Sequence, residues 1–145
     1  MAQQVVVVVD VANVMGSRPD GWWRDRAGAA TRLLAGLPDL VDREVDGPHT
    51  DADADADWRG EGRVRIERVV AVIEGAAKAA TAPEGVEVVR APAAGDDAIV
   101  DSARDAAASG ARVLVVTADR GLRARLVDID ALIAGPGWLN ALLGR

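Results

Sequence analysis

The sequence has no cysteine, no phenylalanine and no tyrosine, and a single histidine among its 145 residues. Without cysteine there are no disulfides, no thiolate metal sites and no cysteine nucleophile. The lone His49 lies in a polar, acidic stretch, so neither a histidine-built metal site nor a Ser-His-Asp triad is expected. With Phe and Tyr missing, the core has to be built from Val, Leu, Ile and Ala, with four Trp as the bulky fillers. Lysine is scarce as well: Lys78 is the only one, and every other cationic side chain is arginine. No apolar run approaches the ~20 residues of a membrane span, so no membrane contact is expected. Met1 to Gln4 leads straight into an apolar run and leaves no room for a signal peptide, which makes the cytoplasm the expected compartment. The formal net charge of −6 argues against non-specific coating of nucleic acid but leaves room for a local basic groove.

What is present begins with Val5-Val6-Val7-Val8-Val9, a β-branched run that fits a strand buried on both faces, and it stops at Asp10. Further strands are expected over 64–73, 86–89, 112–116 and 131–134, and helices over 22–37, 97–109, 120–127 and 138–143, with Asp20 as the cap of the first. Strands alternating with helices imply an α/β fold in three layers, helices covering both faces of a parallel sheet. The length suits one domain over residues 1–145. Residues 38–63 carry little periodicity, and the Asp-Ala alternation from Asp51 to Asp57 reads as a flexible acidic loop at about 48–60. It lacks the turn glycine and closing glutamate of an EF-hand calcium loop.

In open α/β sheets, ligands bind beyond the carboxyl ends of the strands. Asp10, Glu74 and Asp119 each follow a strand, and Asp96-Asp97 opens a helix above the same edge. Converging carboxylates repel one another unless a cation sits among them, and Mg²⁺ or Mn²⁺ suits such oxygen donors. Each acid also has a plainer role. Asp96, Asp97 or Asp119 can cap a helix, Asp101 can pair with Arg104 on a solvated face, and Asn13 can close a turn. Asp10 is the hardest to dismiss, because an acid ending an all-valine strand is costly unless paired or coordinated.

These residues resemble a family. The stretch Val9-Asp10-Val11-Ala12-Asn13-Val14 is similar to the opening D-G-x-N motif of NYN domains, a branch of the PIN-like nucleases, with Val11 where the family has glycine. The stretch from Gly95 to Val100 resembles the central acidic motif, and Thr117-Ala118-Asp119 resembles the closing T/S-x-D motif. The resemblance implies a five-stranded parallel sheet in order 3-2-1-4-5 and a Mg²⁺- or Mn²⁺-dependent ribonuclease. Carried over by motif, Asp10, Asp97 and Asp119 would hold metal together with the less certain Glu74. Asp96 would stand in for Asp97, and Asn13 would orient one of the acids. Ser17, Arg18, Thr117 and Arg120 lie in the motif loops and are the expected substrate contacts, arginine because its planar fork binds two phosphate oxygens.

For Arg24, Arg26 and Arg125 a solvated helix face is the simpler reading. Trp22 and Trp23 can stack on an unpaired base, although the absence of Phe and Tyr makes core filling the stronger demand on at least one of them. The expected partner is RNA, single-stranded or structured, and a homodimer is compatible with the chain. Two other functions stay open: a PIN-like module that binds nucleic acid or protein without cleaving, and a nucleotide triphosphate phosphohydrolase. The stretch Pro19 to Arg26 resembles one in chains grouped with NTP pyrophosphohydrolases, but no acidic helix of the Nudix type accompanies it.

Overall fold

The computed structural model describes residues 2–48 and 62–145. The acidic loop expected at 48–60, apart from Pro48, and His49 lie outside the described residues. The strands are β1 (Gln3–Asp10), β2 (Glu44–Asp46), β3 (Arg63–Ile73), β4 (Glu87–Arg90), β5 (Arg112–Val116) and β6 (Leu132–Ala134). The helices are α1 (Val11–Gly16), α2 (Arg26–Gly36), α3 (Gly95–Ala108), α4 (Arg120–Ala124) and α5 (Pro136–Leu143).

Five strands pair in parallel, in the spatial order β4-β3-β1-β5-β6. The sheet is nevertheless mixed and six-stranded, which corrects the all-parallel expectation. The added strand, β2, runs antiparallel along the first half of β3, with Val45 opposite Val64. It comes from the stretch without periodicity: three residues, of which only Val45 is buried, leave no alternation to detect.

Strand alternation sorts the core into two layers. Val5, Val7 and Val9 pack with Leu33, Leu34 and Leu139 under α1, α2 and α5. Val6 and Val8 pack with Ile99, Ala103 and Leu122 under α3 and α4. The central strand β1 is therefore buried on both sides, as its valine run requires.

The helix boundaries differ from the sequence expectation, most consequentially at the starts of α2 and α3. Residues Trp22–Arg24 form a separate 3-10 turn, and α2 starts only at Arg26. Its cap is Asp25, whose side chain accepts from the Gly28 N–H at 2.9 Å, while Asp20 instead pairs with Arg145 at 3.6 Å. The α3 cap is Ala94, with no side-chain bond, so Asp96 and Asp97 sit inside the first helical turn rather than capping it. Negative charge there complements the helix dipole.

Candidate active site

The carboxyl end of β1 delivers Asp10, which is only 7% exposed. The register sets Val9 opposite Val116, so the next residues along, Asp10 and Thr117, come side by side. The Thr117 hydroxyl donates to Asp10 Oδ2 at 2.9 Å, and the Asn13 N–H donates to Asp10 Oδ1 at 3.2 Å. Asp10 thus caps α1 while being held from the neighbouring strand. Burial drives its pKa above the ordinary 3.8, the two hydrogen bonds oppose that rise, and the charges of Asp96 and Glu74 add to it.

Asn13 and Thr117 also tie down the loop that carries Asp119. Asn13 Oδ1 accepts from the Ala118 N–H at 2.8 Å, and Thr117 Oγ1 accepts from the Asp119 N–H at 3.1 Å. Asp119 Oδ1 then accepts from the Leu122 N–H at 3.0 Å and caps α4. The capping role and the motif position fall on one residue. The Asp119 side chain remains solvent-exposed.

The second acid pair divides unequally. Asp97 is exposed, and its Oδ1 accepts from Arg125 at 2.9 Å. Asp96 instead faces the other acids: burial raises its pKa first, then the charges of Asp119 and Glu74, with Arg125 opposing. Asp96, expected as a stand-in, feels the charges of Asp119 and Glu74, while Asp97 is engaged by Arg125. On a helix, adjacent residues point about 100° apart, so one of the pair had to turn away.

Glu74 belongs to the same edge. Its carboxylate accepts from the Gly95 N–H, the first amide of α3. Gly95 has no side chain for a reason: a Cβ there would lie 2.7 Å from Glu74 Oε2. A bulge in β3 decides the side on which Glu74 emerges. Val5 pairs with Ile66 but Val6 pairs with Arg68, so Glu67 is skipped and the alternation flips. Val70 and Val72 then face α3, and Glu74 follows in step.

Two expected substrate contacts also make structural bonds. Thr117 is 1% exposed, with its hydroxyl engaged by both Asp10 and Asp119, so it positions the acids rather than meeting a ligand. Ser17 donates to the Val14 carbonyl at 2.6 Å and accepts from Asn140 Nδ2 at 3.0 Å, stapling α1 to α5. Asn140 was not singled out from the sequence; its signal is a single amide in the otherwise apolar helix α5. Arg18 and Arg120 are exposed, with no carboxylate within 4.0 Å among the described residues.

The donor set of Asp10, Glu74, Asp96 and Asp119 is all oxygen, which fits a hard divalent cation. Among the described residues, however, no three acidic or imidazole groups lie close enough together to form a metal cage as they stand. The fit is therefore to an ion held by one or two carboxylates with water completing its shell, a common mode for Mg²⁺.

The chain is similar in structure to a variant of Rae1 (YacP) from Bacillus subtilis, with a TM-score of 0.68 and 17% sequence identity. The match covers 97% of this chain and 75% of that one. No family model matches the sequence, and no curated protein sequence does. At that identity the likeness to Rae1 shows the fold alone. Among the described residues, no helix is long and apolar enough to cross a membrane.

Proposed function

We propose that this chain is a metal-dependent ribonuclease that hydrolyses phosphodiester bonds at the edge formed by Asp10, Asp96 and Asp119. One observation carries the reading: Asp10, at the end of an all-valine strand, is kept buried by Thr117 and Asn13 with its pKa raised beside other acids. A cap for α1 can be met at an exposed position, so capping by itself does not call for burying that charge beside other acids. The motif resemblance and the likeness of fold to Rae1 support the same reading.

In this proposal one or two of Asp10, Asp96 and Asp119 would hold Mg²⁺ or Mn²⁺ directly and the others through its water shell. Such an ion, when bound, supplies an activated water and neutralises charge at the phosphate. The remaining roles belong to the chain. Thr117 and Asn13 fix Asp10 and the Asp119 loop relative to each other. Glu74 anchors the start of α3, and with it Asp96. Arg125 draws Asp97 aside. Arg18, exposed just past α1, and Arg120, exposed at the start of α4, would hold phosphate oxygens.

A second reading, an RNA-binding module without cleavage, is favoured by one observation: among the described residues no three acids are poised for metal. Incubation with Mn²⁺ and single-stranded RNA, with a mixture of NTPs in parallel, separates the readings. RNA cleavage by wild type that is lost in Asp10→Asn supports the nuclease. RNA bound but uncut supports the binding module, and NTP turnover without RNA cleavage supports a nucleotide phosphohydrolase.

A further inference from the structure

The two flanks of the candidate site differ in charge balance: acids outnumber Arg68 around the α3 groove, and arginines outnumber Asp20 and Asp25 on the α1–α2 flank. On the α3 flank a groove of about 870 Å³ is rimmed by Asp97, Asp101, Asp105, Glu67 and Glu87, which repels a polyanion. On the α1–α2 flank stand Arg18, Arg24, Arg26 and Arg32, all exposed. None of the four has a carboxylate within 4.0 Å among the described residues, whereas Arg63, Arg104 and Arg125 elsewhere are paired with acids. In a chain of net charge −6, a group of exposed arginines on one flank favours the approach of a nucleic acid from that side.

The same flank carries an exposed aromatic ring. Trp22 is the anchor: it packs against the core and lines a small pocket with Met15 and Leu33. It also closes on the end of α1, where a Cβ at Gly16 would lie 3.9 Å from its ring. Trp23 stands edge-on to Trp22, with centroids 5.9 Å apart and planes at 88°, and is 50% exposed. The Arg24 guanidinium lies 5.9 Å from the Trp23 centroid, and that of Arg26 lies 5.3 Å from the Trp22 centroid. A half-exposed indole set against an anchored ring and bordered by exposed arginines is the combination that single-strand binders use to stack a base and hold its phosphate.

We infer that Trp23, with Arg24 and Arg26, is a stacking platform for an unpaired base of single-stranded RNA bound across the candidate site, an inference that rests on the RNA reading above. Its distance from the acids is set by α1, which starts immediately after Asp10 and ends against Trp22. The six residues of α1 span about 9 Å, so Trp22 closes on the helix end a short way from Asp10. The platform would therefore grip the strand a short way from the bond presented to Asp10, on the basic side. Duplex RNA offers no free base face and would gain nothing from it.

The test is binding in EDTA of a labelled single-stranded RNA of mixed sequence, and of its duplex, followed by fluorescence anisotropy and tryptophan quenching. Trp23→Ala should weaken single-strand binding by about tenfold or more, the usual scale for loss of one stacked base. Trp23→Phe should retain most of the affinity. Trp23→Leu, which keeps apolar bulk but no ring, should lose it as Ala does, so stacking is separated from packing. Unchanged single-strand affinity in Trp23→Ala, equal loss on duplex, or no RNA binding by wild type would each overturn the platform. Because no ion is present, the result is independent of cleavage. Platform-dependent binding without Mn²⁺-dependent cleavage would remove the nuclease reading and keep the platform. Cleavage with binding indifferent to Trp23 would do the reverse.

Discussion

The hydroxyl of Thr117 donates to the buried carboxylate of Asp10 at 2.9 Å, joining residues 107 positions apart in sequence. The same oxygen accepts from the Asp119 N–H, so one side chain sets the position of two acids. Removing only that hydroxyl is the sharpest probe of the site. Thr117→Val keeps the shape, leaves Asp10 with one hydrogen bond and orphans the Asp119 amide. The expected cost is about 1–3 kcal/mol of stability. The loss should be larger at pH 8 than near pH 3.8, because the lost bond favours the ionised form of Asp10 and its raised pKa leaves it mostly protonated there. Thr117→Ser should recover most of it. Denaturant unfolding at the two pH values checks both statements.

Asp96 and Asp97 are expected to behave differently on substitution. With metal chelated, the raised folded pKa of Asp96 means that between 3.8 and that value the folded chain binds more protons than the unfolded one. Stability then falls as pH rises through this window, and the penalty is fully present above it. Asp96→Asn should therefore melt about 1–3 °C above wild type at pH 7, with the gap closing as pH falls towards 3.8. Asp97→Asn breaks an exposed ion pair with Arg125, worth ~0–1 kcal/mol, and should not raise the melting temperature. Thermal scans across pH in EDTA distinguish the two, and a larger stabilisation in Asp97→Asn would reverse the assignment.

Divalent ions should stabilise the folded state if the carboxylates hold one. Mg²⁺ or Mn²⁺ at millimolar concentration should raise the melting temperature, because an ion that binds only the folded state shifts the equilibrium by mass action. The rise should be lost in Asp10→Asn and in Asp119→Asn. An indifferent melting temperature in wild type would speak against the metal site.

Asn13 should prove to be a positioning residue. Its side chain accepts from the Ala118 N–H at 2.8 Å and contacts no other acid of the group. Asn13→Ala frees that amide and should lower cleavage at least tenfold, while lowering the melting temperature by only a few degrees. Asn13→Asp keeps an acceptor in place and should retain the fold better than Ala. Activity equal to wild type in Asn13→Ala would remove Asn13 from the site.

Much of the edge was legible in the chain itself. Buried strands announce themselves through β-branched runs, and Val5–Val9 and Arg112–Val116 lie where the pattern puts them, each followed by a motif residue. The order of the five parallel strands followed from the family resemblance, but β2 escaped, because three residues with one buried valine carry no period. Local chemistry also misled: both Asp20 and Asp25 are good caps, and only the placement of the 3-10 turn at Trp22–Arg24 selects Asp25.

By itself, then, the sequence determined that acids follow β1, β3 and β5 and open α3, since hydrophobic period and its interruption are local properties. Tertiary structure alone decided which acids meet. The skipped Glu67 turns Glu74 towards α3, the β1–β5 register brings Thr117 to Asp10, and the rotation of α3 offers Asp96 while Arg125 draws Asp97 away. Register, bulge and helix rotation are set by pairings between segments distant in sequence. A one-residue change in any of them reverses the face on which a side chain emerges while the composition stays the same.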